Sequence, residues 1–175
     1  MQGNPTTKHN LFDEINTLSR MINDILNQKQ RDRYFEGIAF LHSFIEDLLK
    51  WLVFTQILWN KVERSVPVAN REVEEIRGYC NQLNFNSLLN VGLIVNLINY
   101  QEFIKINSIR IERNELVHKY WLYRHKGKRH ILRKKLEKLS GVSNILVKKF
   151  NKLIEDTAMD DSFFEVSTGR NFIVF

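Results

Sequence analysis

Cysteine, proline and glycine are scarce in this sequence. The 175 residues include one cysteine, Cys80, together with two prolines and seven glycines. A single cysteine excludes an internal disulfide and fits a reducing compartment, so we expect a cytoplasmic protein. Few helix breakers, in a chain rich in leucine, isoleucine, asparagine, lysine and glutamate, predict an all-α antiparallel helical bundle built as one domain.

Signals for secretion and for membrane insertion are also missing from the pattern. The N-terminus is polar and lacks the basic segment followed by an apolar one that is typical of a signal peptide. Residues 79–101 carry no charge, but they include six asparagines. We therefore interpret them as part of a water-soluble domain, and we expect no membrane partner.

The spacing of apolar side chains predicts five helices. The second is long and apolar on two sides, which is typical of a central core helix or of a dimer face. The last residues, 163–175, are interpreted as a short β-hairpin or a docking tail.

The predicted helices cover residues 11–28, 32–61, 70–89 with Asn70 as N-cap, a fourth that starts at Asn99, and 132–157. A turn is predicted at 90–92, a loop at 125–128 and a helix break near Gly141. For the domain organisation, we expect a disordered lead-in at 1–9, a bundle at 10–125, and a basic helix with a tail at 126–175 in the same domain.

Positive charge is concentrated in one segment. The net charge is +6, while residues 119–138 hold nine lysines or arginines and one acid, Glu137, so this segment carries +8 and the rest about −2. A basic segment on a nearly neutral body predicts contact with a polyanion. Its interleaved aromatic rings and histidines favour single-stranded RNA or tRNA ends, whereas a solvated helix face is the alternative. The predicted RNA contacts are Lys119, Arg124, Lys126, Lys128, Arg129 and Arg133.

The helix before this basic segment carries an unusual polar set. Asn99 and Glu102 have capping-box spacing at its start. Arg113, Asn114 and His118 interrupt its pattern near the end. Arg113 and His118 lie about 140° apart on the two flanks of the apolar face, so one helix cannot easily bring both to one ligand. A second copy related by a two-fold axis can do so. The apolar stripe consists of Phe103, Ile106, Ile109, Leu116 and Tyr120, widened by Ile104, Ile111 and Val117.

The order Arg113-Asn114, then His118 and Tyr120, resembles a family motif. It is similar to the Arg-x4-His-x-Tyr motif of HepT-type toxins in the HEPN family (higher eukaryotes and prokaryotes nucleotide-binding), and the resemblance covers roughly residues 10–125. In that family the motif is linked to metal-independent RNase activity at a dimer interface. The resemblance implies a homodimer in which His118 is the general acid or base, Arg113 clamps the phosphate and Asn114 orients the substrate.

These residue types suit RNA cleavage. RNA supplies its own nucleophile, the 2′-hydroxyl, so the catalyst needs a base, an acid for the leaving 5′-oxygen and positive charge for the phosphorane. Histidine titrates near neutrality, and the arginine fork holds two oxygens and stays charged. No metal is required, and the motif has no acidic cluster or His–Cys set with ligand spacing. We therefore predict no metal site and no cofactor.

The leading interpretation is a metal-independent endoribonuclease that cleaves tRNA or mRNA, as a toxin or an abortive-infection effector in antiviral defence. In HepT-like toxins the tyrosine equivalent to Tyr120 is modified with AMP by a partner, which implies an antitoxin or nucleotidyltransferase. The alternative is that Tyr120 only packs in the apolar stripe.

Two other functions stay open, a non-catalytic HEPN interaction or RNA-binding module and a small-ligand or nucleotide-binding HEPN protein. Glu46 and Asp47 are expected to face solvent or, alternatively, to pair with Arg113 or His118.

Overall fold

The chain folds into helices throughout the part that can be described. The computed structural model describes residues 8–27, 33–123 and 129–158. These residues form six α-helices and no strand, which confirms the predicted all-α bundle. In chain order the helices are α1 (Lys8–Leu26), α2 (Tyr34–Glu63), α3 (Asn70–Gln82), α4 (Phe85–Ile94), α5 (Tyr100–Tyr123) and α6 (Arg129–Ala158). The predicted loop at 125–128 and the predicted hairpin or tail at 163–175 lie outside the described residues.

Helix α2 lies at the centre of the bundle. Helices α1, α3, α4 and α6 all pack against it. Helix α6 runs beside it in the same direction, with the rings of Trp51 and Phe150 4.9 Å apart. A Cβ added at Gly37 would lie 3.0 Å from Ile25 and 3.4 Å from Leu136, so the missing side chain lets α1 and α6 approach α2 closely. The two-sided apolar pattern of α2 therefore serves mainly to pack several helices around it.

The predicted third helix, 70–89, is wrong because the chain breaks between α3 and α4. Leu83 and Asn84 take extended backbone angles, and the Asn84 side chain accepts a hydrogen bond from the Ser87 amide at 3.0 Å. An asparagine that caps the next helix in this way offers the backbone a better alternative than continuing the first one. At the start of α3 the N-cap is Ala69, and Asn70 is already helical.

The predicted turn at 90–92 is also wrong, since these residues lie inside α4. The chain turns at Asn96 instead, which takes a left-handed backbone angle φ of 61°. That angle lets the amides of Leu97 and Ile98 donate to the Gly92 carbonyl at 2.9 and 3.2 Å, which closes the end of α4. Asparagine tolerates this angle better than most residues, and the turn leads directly into the cap of α5.

Helix α6 continues through Gly141, so the predicted break there is wrong. One glycine costs a helix only about 1 kcal/mol relative to alanine. The neighbouring Leu139, Val142 and Leu146 are buried, and this packing holds the helix together across the glycine.

Candidate functional site

The orientation of α5 determines where the motif lies. The predicted capping box is confirmed, because Glu102 accepts from the Asn99 amide at 2.9 Å and Asn99 accepts from the Glu102 amide at 3.0 Å. Three apolar side chains of α5 face the core, namely Ile106, Ile109 and Leu116. The acidic flank of α5 faces α6, where Lys149 pairs with Glu102, Lys135 with Glu112 and Glu115, and Lys138 with Glu112. These contacts make α5 antiparallel to α6 and fix its rotation.

One face of α5 remains uncovered by the rest of the described chain. Tyr100, Ile104 and Ile111 are 64%, 47% and 58% exposed. The prediction that Ile104 and Ile111 widen the buried stripe is therefore wrong. We call this face the outward stripe; its residues are Tyr100, Ile104, Asn107, Ile111, Asn114 and His118. Their alternating spacing of four and three residues keeps them on one side of the helix.

The three predicted catalytic residues, Arg113, Asn114 and His118, are all exposed. Asn114 and His118 end the outward stripe. Arg113 lies at about the same angle around α5 as Ile106 and Leu116, and thus on the side that faces the bundle. Neither Arg113 nor His118 forms a hydrogen bond or an ion pair with another described residue. One protomer therefore does not bring the two side chains together.

A kink in α5 follows the motif histidine directly. Lys119 has backbone angles φ of −115° and ψ of 17°, which lie outside the helical range. The regular part of the helix thus ends at His118. Glu115 and Lys119, four residues apart, form an ion pair with a distance of 3.5 Å. Tyr120 lies within α5 beyond the kink, and its side chain is outside the described part of the chain, so its modification stays a prediction.

A residue that sequence reasoning did not single out, His42 of α2, lies beside Arg113. Its side chain is buried, its ring packs against Phe85 at 5.4 Å between centroids, and its Nε2 atom has no hydrogen-bond partner. Burial, and then the positive charge of Arg113, lower the pKa of His42 to about 4, while the charge of Glu46 opposes this. The ring is therefore neutral at pH 7. Its position in an apolar helical face, four residues after Ile38, was the available signal.

We expect His42 to make the protein less stable in mild acid. Its pKa in the folded state is below the usual 6.5, so between pH 6.5 and 4 the unfolded chain binds a proton that the folded chain does not. Stability therefore falls as the pH falls through that window, by about 2 kcal/mol between pH 7 and pH 5. Replacing His42 by leucine should remove this part of the pH dependence in urea unfolding. The exposed His130, replaced by leucine, is the control, and an unchanged pH dependence in His42→Leu would contradict the assignment.

The acids near the site are paired within α2. Lys50 lies 3.4 Å from both Glu46 and Asp47. Neither acid forms an ion pair with Arg113 or His118 in the described part of the chain, so the alternative that they pair with the motif is wrong. Asp47 is exposed as expected, whereas Glu46 is half-buried.

Several of the predicted RNA contacts already have acidic neighbours. Arg133 pairs with Glu137 at 2.9 Å, and Lys119 pairs with Glu115. Arg129 is half-buried at the start of α6. Arg124, Lys126 and Lys128 lie outside the described residues, so their role stays a prediction.

Two of the surface depressions in the described residues lie at opposite ends of α6, and neither of these two is lined by Arg113 or His118. One, of about 250 Å³, lies between Glu112 of α5 and the lysines of α6. The other, of about 260 Å³, lies at the opposite end of the bundle, between Trp59, Asn96 and Lys152.

No group of three or more histidine, cysteine, aspartate or glutamate side chains in the described ranges is arranged to hold a metal ion. Among the same residues no helix is long and apolar enough to cross a membrane. Comparison of the chain with protein-family models, curated proteins and solved structures found no significant match. The resemblance to the HEPN family therefore rests on the motif and its helix.

Proposed function

We propose that this chain is a metal-independent endoribonuclease of the HEPN type that works as a homodimer. The observation that carries the proposal is the outward stripe of α5. It presents Asn114 and His118 on the same exposed surface as three large apolar side chains. An apolar surface beside acid–base chemistry is what a site shared between two protomers requires.

A second copy of the chain is the partner that suits the outward stripe. Tyr100, Ile104 and Ile111 recur with the spacing that lets two helices pack side by side. Full burial of such a side chain contributes about 1.5–3 kcal/mol. A two-fold axis pairs a surface with itself, so both copies would bury the same stripe. Because His118 and Arg113 lie about 140° apart within one protomer, a site that uses both residues would take them from different protomers.

The three motif residues then have distinct roles in cleavage. His118 moves the proton, either from the 2′-hydroxyl or to the leaving 5′-oxygen. The 2′-oxygen forms a bond to phosphorus, the bond from phosphorus to the 5′-oxygen breaks, and a 2′,3′-cyclic phosphate results. Arg113 holds the phosphate oxygens and stabilises the extra charge of the phosphorane. Asn114, one turn before His118 on the stripe, orients the substrate.

The biological role follows from the family resemblance. We propose a cytoplasmic toxin or abortive-infection effector that cleaves tRNA or mRNA, held in check by an antitoxin or by a nucleotidyltransferase that attaches AMP to Tyr120. Attachment of AMP to Tyr120, two residues after His118 in the sequence, would add negative charge next to the motif, and a negative charge repels the RNA phosphate.

The alternative function is a non-catalytic HEPN interaction or RNA-binding module. One observation favours it, namely that Arg113 and His118 lie about 140° apart on α5 within one protomer. In that case the outward stripe would bind a different partner, and the basic residues would hold RNA without cutting it.

Cleavage of total cellular RNA in the presence of EDTA tests the proposal. Wild-type protein should cleave, and His118→Ala should be slower by at least about a hundredfold, because acid–base catalysis contributes about 10²–10⁴. Arg113→Ala should lose cleavage too. Arg71→Ala is the control, since this exposed arginine of α3 pairs only with its neighbour Glu75 in the described structure. Equal cleavage by all proteins would contradict the proposal. Inactive wild-type protein without AMP on Tyr120, determined by mass spectrometry, would favour the binding module.

A further inference from the structure

The outer face of α6 carries lysines along most of its length. This face, which we call the lysine stripe, consists of Lys134, Lys138, Gly141, Ile145, Lys148 and Lys152. The alternating spacing of four and three residues keeps it within one sector of the helix, and it spans about 27 Å. We infer that the lysine stripe binds the backbone of the RNA and leads it toward the motif. The inference rests on the proposed function, because it takes RNA as the partner.

The stripe begins beside the motif. Lys138 pairs with Glu112, the residue next to Arg113, and Lys135 reaches Glu115 at 3.5 Å. Because α5 and α6 are antiparallel, the other end of the stripe lies beside the start of α5. An RNA strand on the stripe would therefore run from the motif along the whole length of the helix pair.

Three lysines of the stripe have their charge available. Lys134, Lys148 and Lys152 are exposed and form no ion pair with any described residue, and Lys152 shares a surface depression with Glu63 and Asp156. The nearby acids of α5 are already neutralised, because Glu112 and Glu102 pair with other lysines of α6. The stripe thus presents net positive charge to solvent, which is the electrostatic signature of a polyanion site.

The lysine pattern lowers the intrinsic stability of helix α6. Lys134 and Lys138 are four residues apart, as are Lys148 and Lys152, and like charges at this spacing weaken a helix. Gly141 lies between the two pairs, and a Cβ there would meet nothing within 4 Å. The middle of the stripe is therefore low and open, so that a strand can pass across it.

RNA suits this surface better than a membrane does. Helices that bind membrane surfaces place large apolar side chains beside their cations. Exposed large apolar side chains in the described part of the chain lie in α2, α3, α4, α5 and the segment after α2, and the lysine stripe holds one large apolar side chain, the half-buried Ile145. A phosphate backbone needs only the cations and a clear path between them.

Position 141 allows a test that separates charge from folding. Gly141→Glu and Gly141→Gln have the same shape, both replace a glycine in open space, and they differ by one charge in the middle of the stripe. In the His118→Ala background, which keeps RNA intact, the glutamate variant should bind unstructured RNA about tenfold more weakly than the glutamine variant in fluorescence anisotropy. Gly141→Lys should bind more tightly than the glutamine variant. Equal affinity of all three would overturn the inference.

Removing the available charges gives an independent test. The triple variant Lys134→Ala, Lys148→Ala, Lys152→Ala should lower the slope of log affinity against log salt by about 2, since each lost phosphate contact removes roughly 0.7 for a single strand. A control triple variant at Arg20, Arg64 and Arg71 removes the same charge elsewhere and should keep the wild-type slope. An equal change in both triple variants would mean a general charge effect and would overturn the inference.

The outcomes also separate this inference from the proposed function. Stripe-dependent RNA binding without cleavage by wild-type protein would keep the inference and reject the nuclease. Cleavage that does not respond to the stripe variants would keep the nuclease and reject the inference. Binding of the stripe to vesicles of anionic lipid, with no effect of the variants on RNA, would replace RNA by a membrane surface as the partner and reject the inference.

Discussion

Mixing the His118→Ala and Arg113→Ala proteins is expected to restore RNA cleavage that neither variant has alone. On α5 the two side chains lie about 140° apart, so one protomer cannot apply both to one phosphate. We propose that each site takes Arg113 from one protomer and His118 from the other. Each homodimer of a single variant loses both sites, whereas a mixed dimer keeps one intact site. Random pairing of equal amounts makes half of the dimers mixed, so about a quarter of the wild-type rate should return.

The control for this experiment is a chain that carries both substitutions. Paired with either single variant, the double variant leaves no site with both residues, so the rate should stay at the level of the single variants. Co-expression with two affinity tags isolates mixed dimers and shows that they form. If mixed dimers form and remain as inactive as the single variants, the division of one site between two protomers is wrong.

The start of α5 illustrates what the sequence was able to predict. Asn99 and Glu102 satisfy each other's backbone amides within one turn, so the cap depends on four consecutive residues and on nothing else. The pair between Glu115 and Lys119 is local in the same sense. The predominance of helix follows from the composition and the repeated apolar spacing, which are also properties of the chain alone.

The predictions from the sequence were wrong where packing between distant segments determines the structure. Ile104 and Ile111 are apolar and suit a core by pattern, but three lysines of α6 bind the acidic flank of α5 and rotate it so that both isoleucines face outward. Gly141 suits a break by propensity, yet buried neighbours carry α6 through it. At Gly141 these tertiary contacts outweigh a local preference of about 1 kcal/mol.

His42 was missed for a related reason. A histidine between apolar neighbours looks like an ordinary core position, and only the fold brings Arg113 of α5 and Phe85 of α4 beside it. The residue spacing within α2 cannot indicate these contacts, because Phe85 and Arg113 are each more than forty positions from His42 in the sequence.

The substitution Ile111→Glu is expected to separate the two protomers and, because the dimer is lost, to abolish cleavage as well. Ile111 is the apolar residue of the outward stripe nearest to His118, and two-fold pairing there would bury its side chain together with a second copy of itself. Two carboxylates brought together without partners in such an interface are strongly unfavourable. The protomer itself should be unaffected, since an exposed substitution of this kind changes folding stability by only about 0.5 kcal/mol.

Ile94→Glu is the matched control for this variant. Ile94 is 77% exposed at the end of α4 and is not part of the outward stripe, so the same substitution there adds the same charge. Light scattering during size-exclusion chromatography should give a monomer mass for Ile111→Glu and a dimer mass for Ile94→Glu. A dimer in both would place the interface elsewhere, with half-exposed Phe40 of α2 as the next surface to change.

The dependence of cleavage on protein concentration links the dimer to the chemistry. If the site is complete only in the dimer, the rate for each Ile111→Glu chain should rise with concentration in proportion to the small fraction that still pairs. At low concentration it should be reduced at least about a hundredfold, as in His118→Ala, because both variants then lack a working acid or base at the phosphate. A monomeric Ile111→Glu protein that cleaves at the wild-type rate would contradict the shared site, since Arg113 and His118 of one protomer would then suffice.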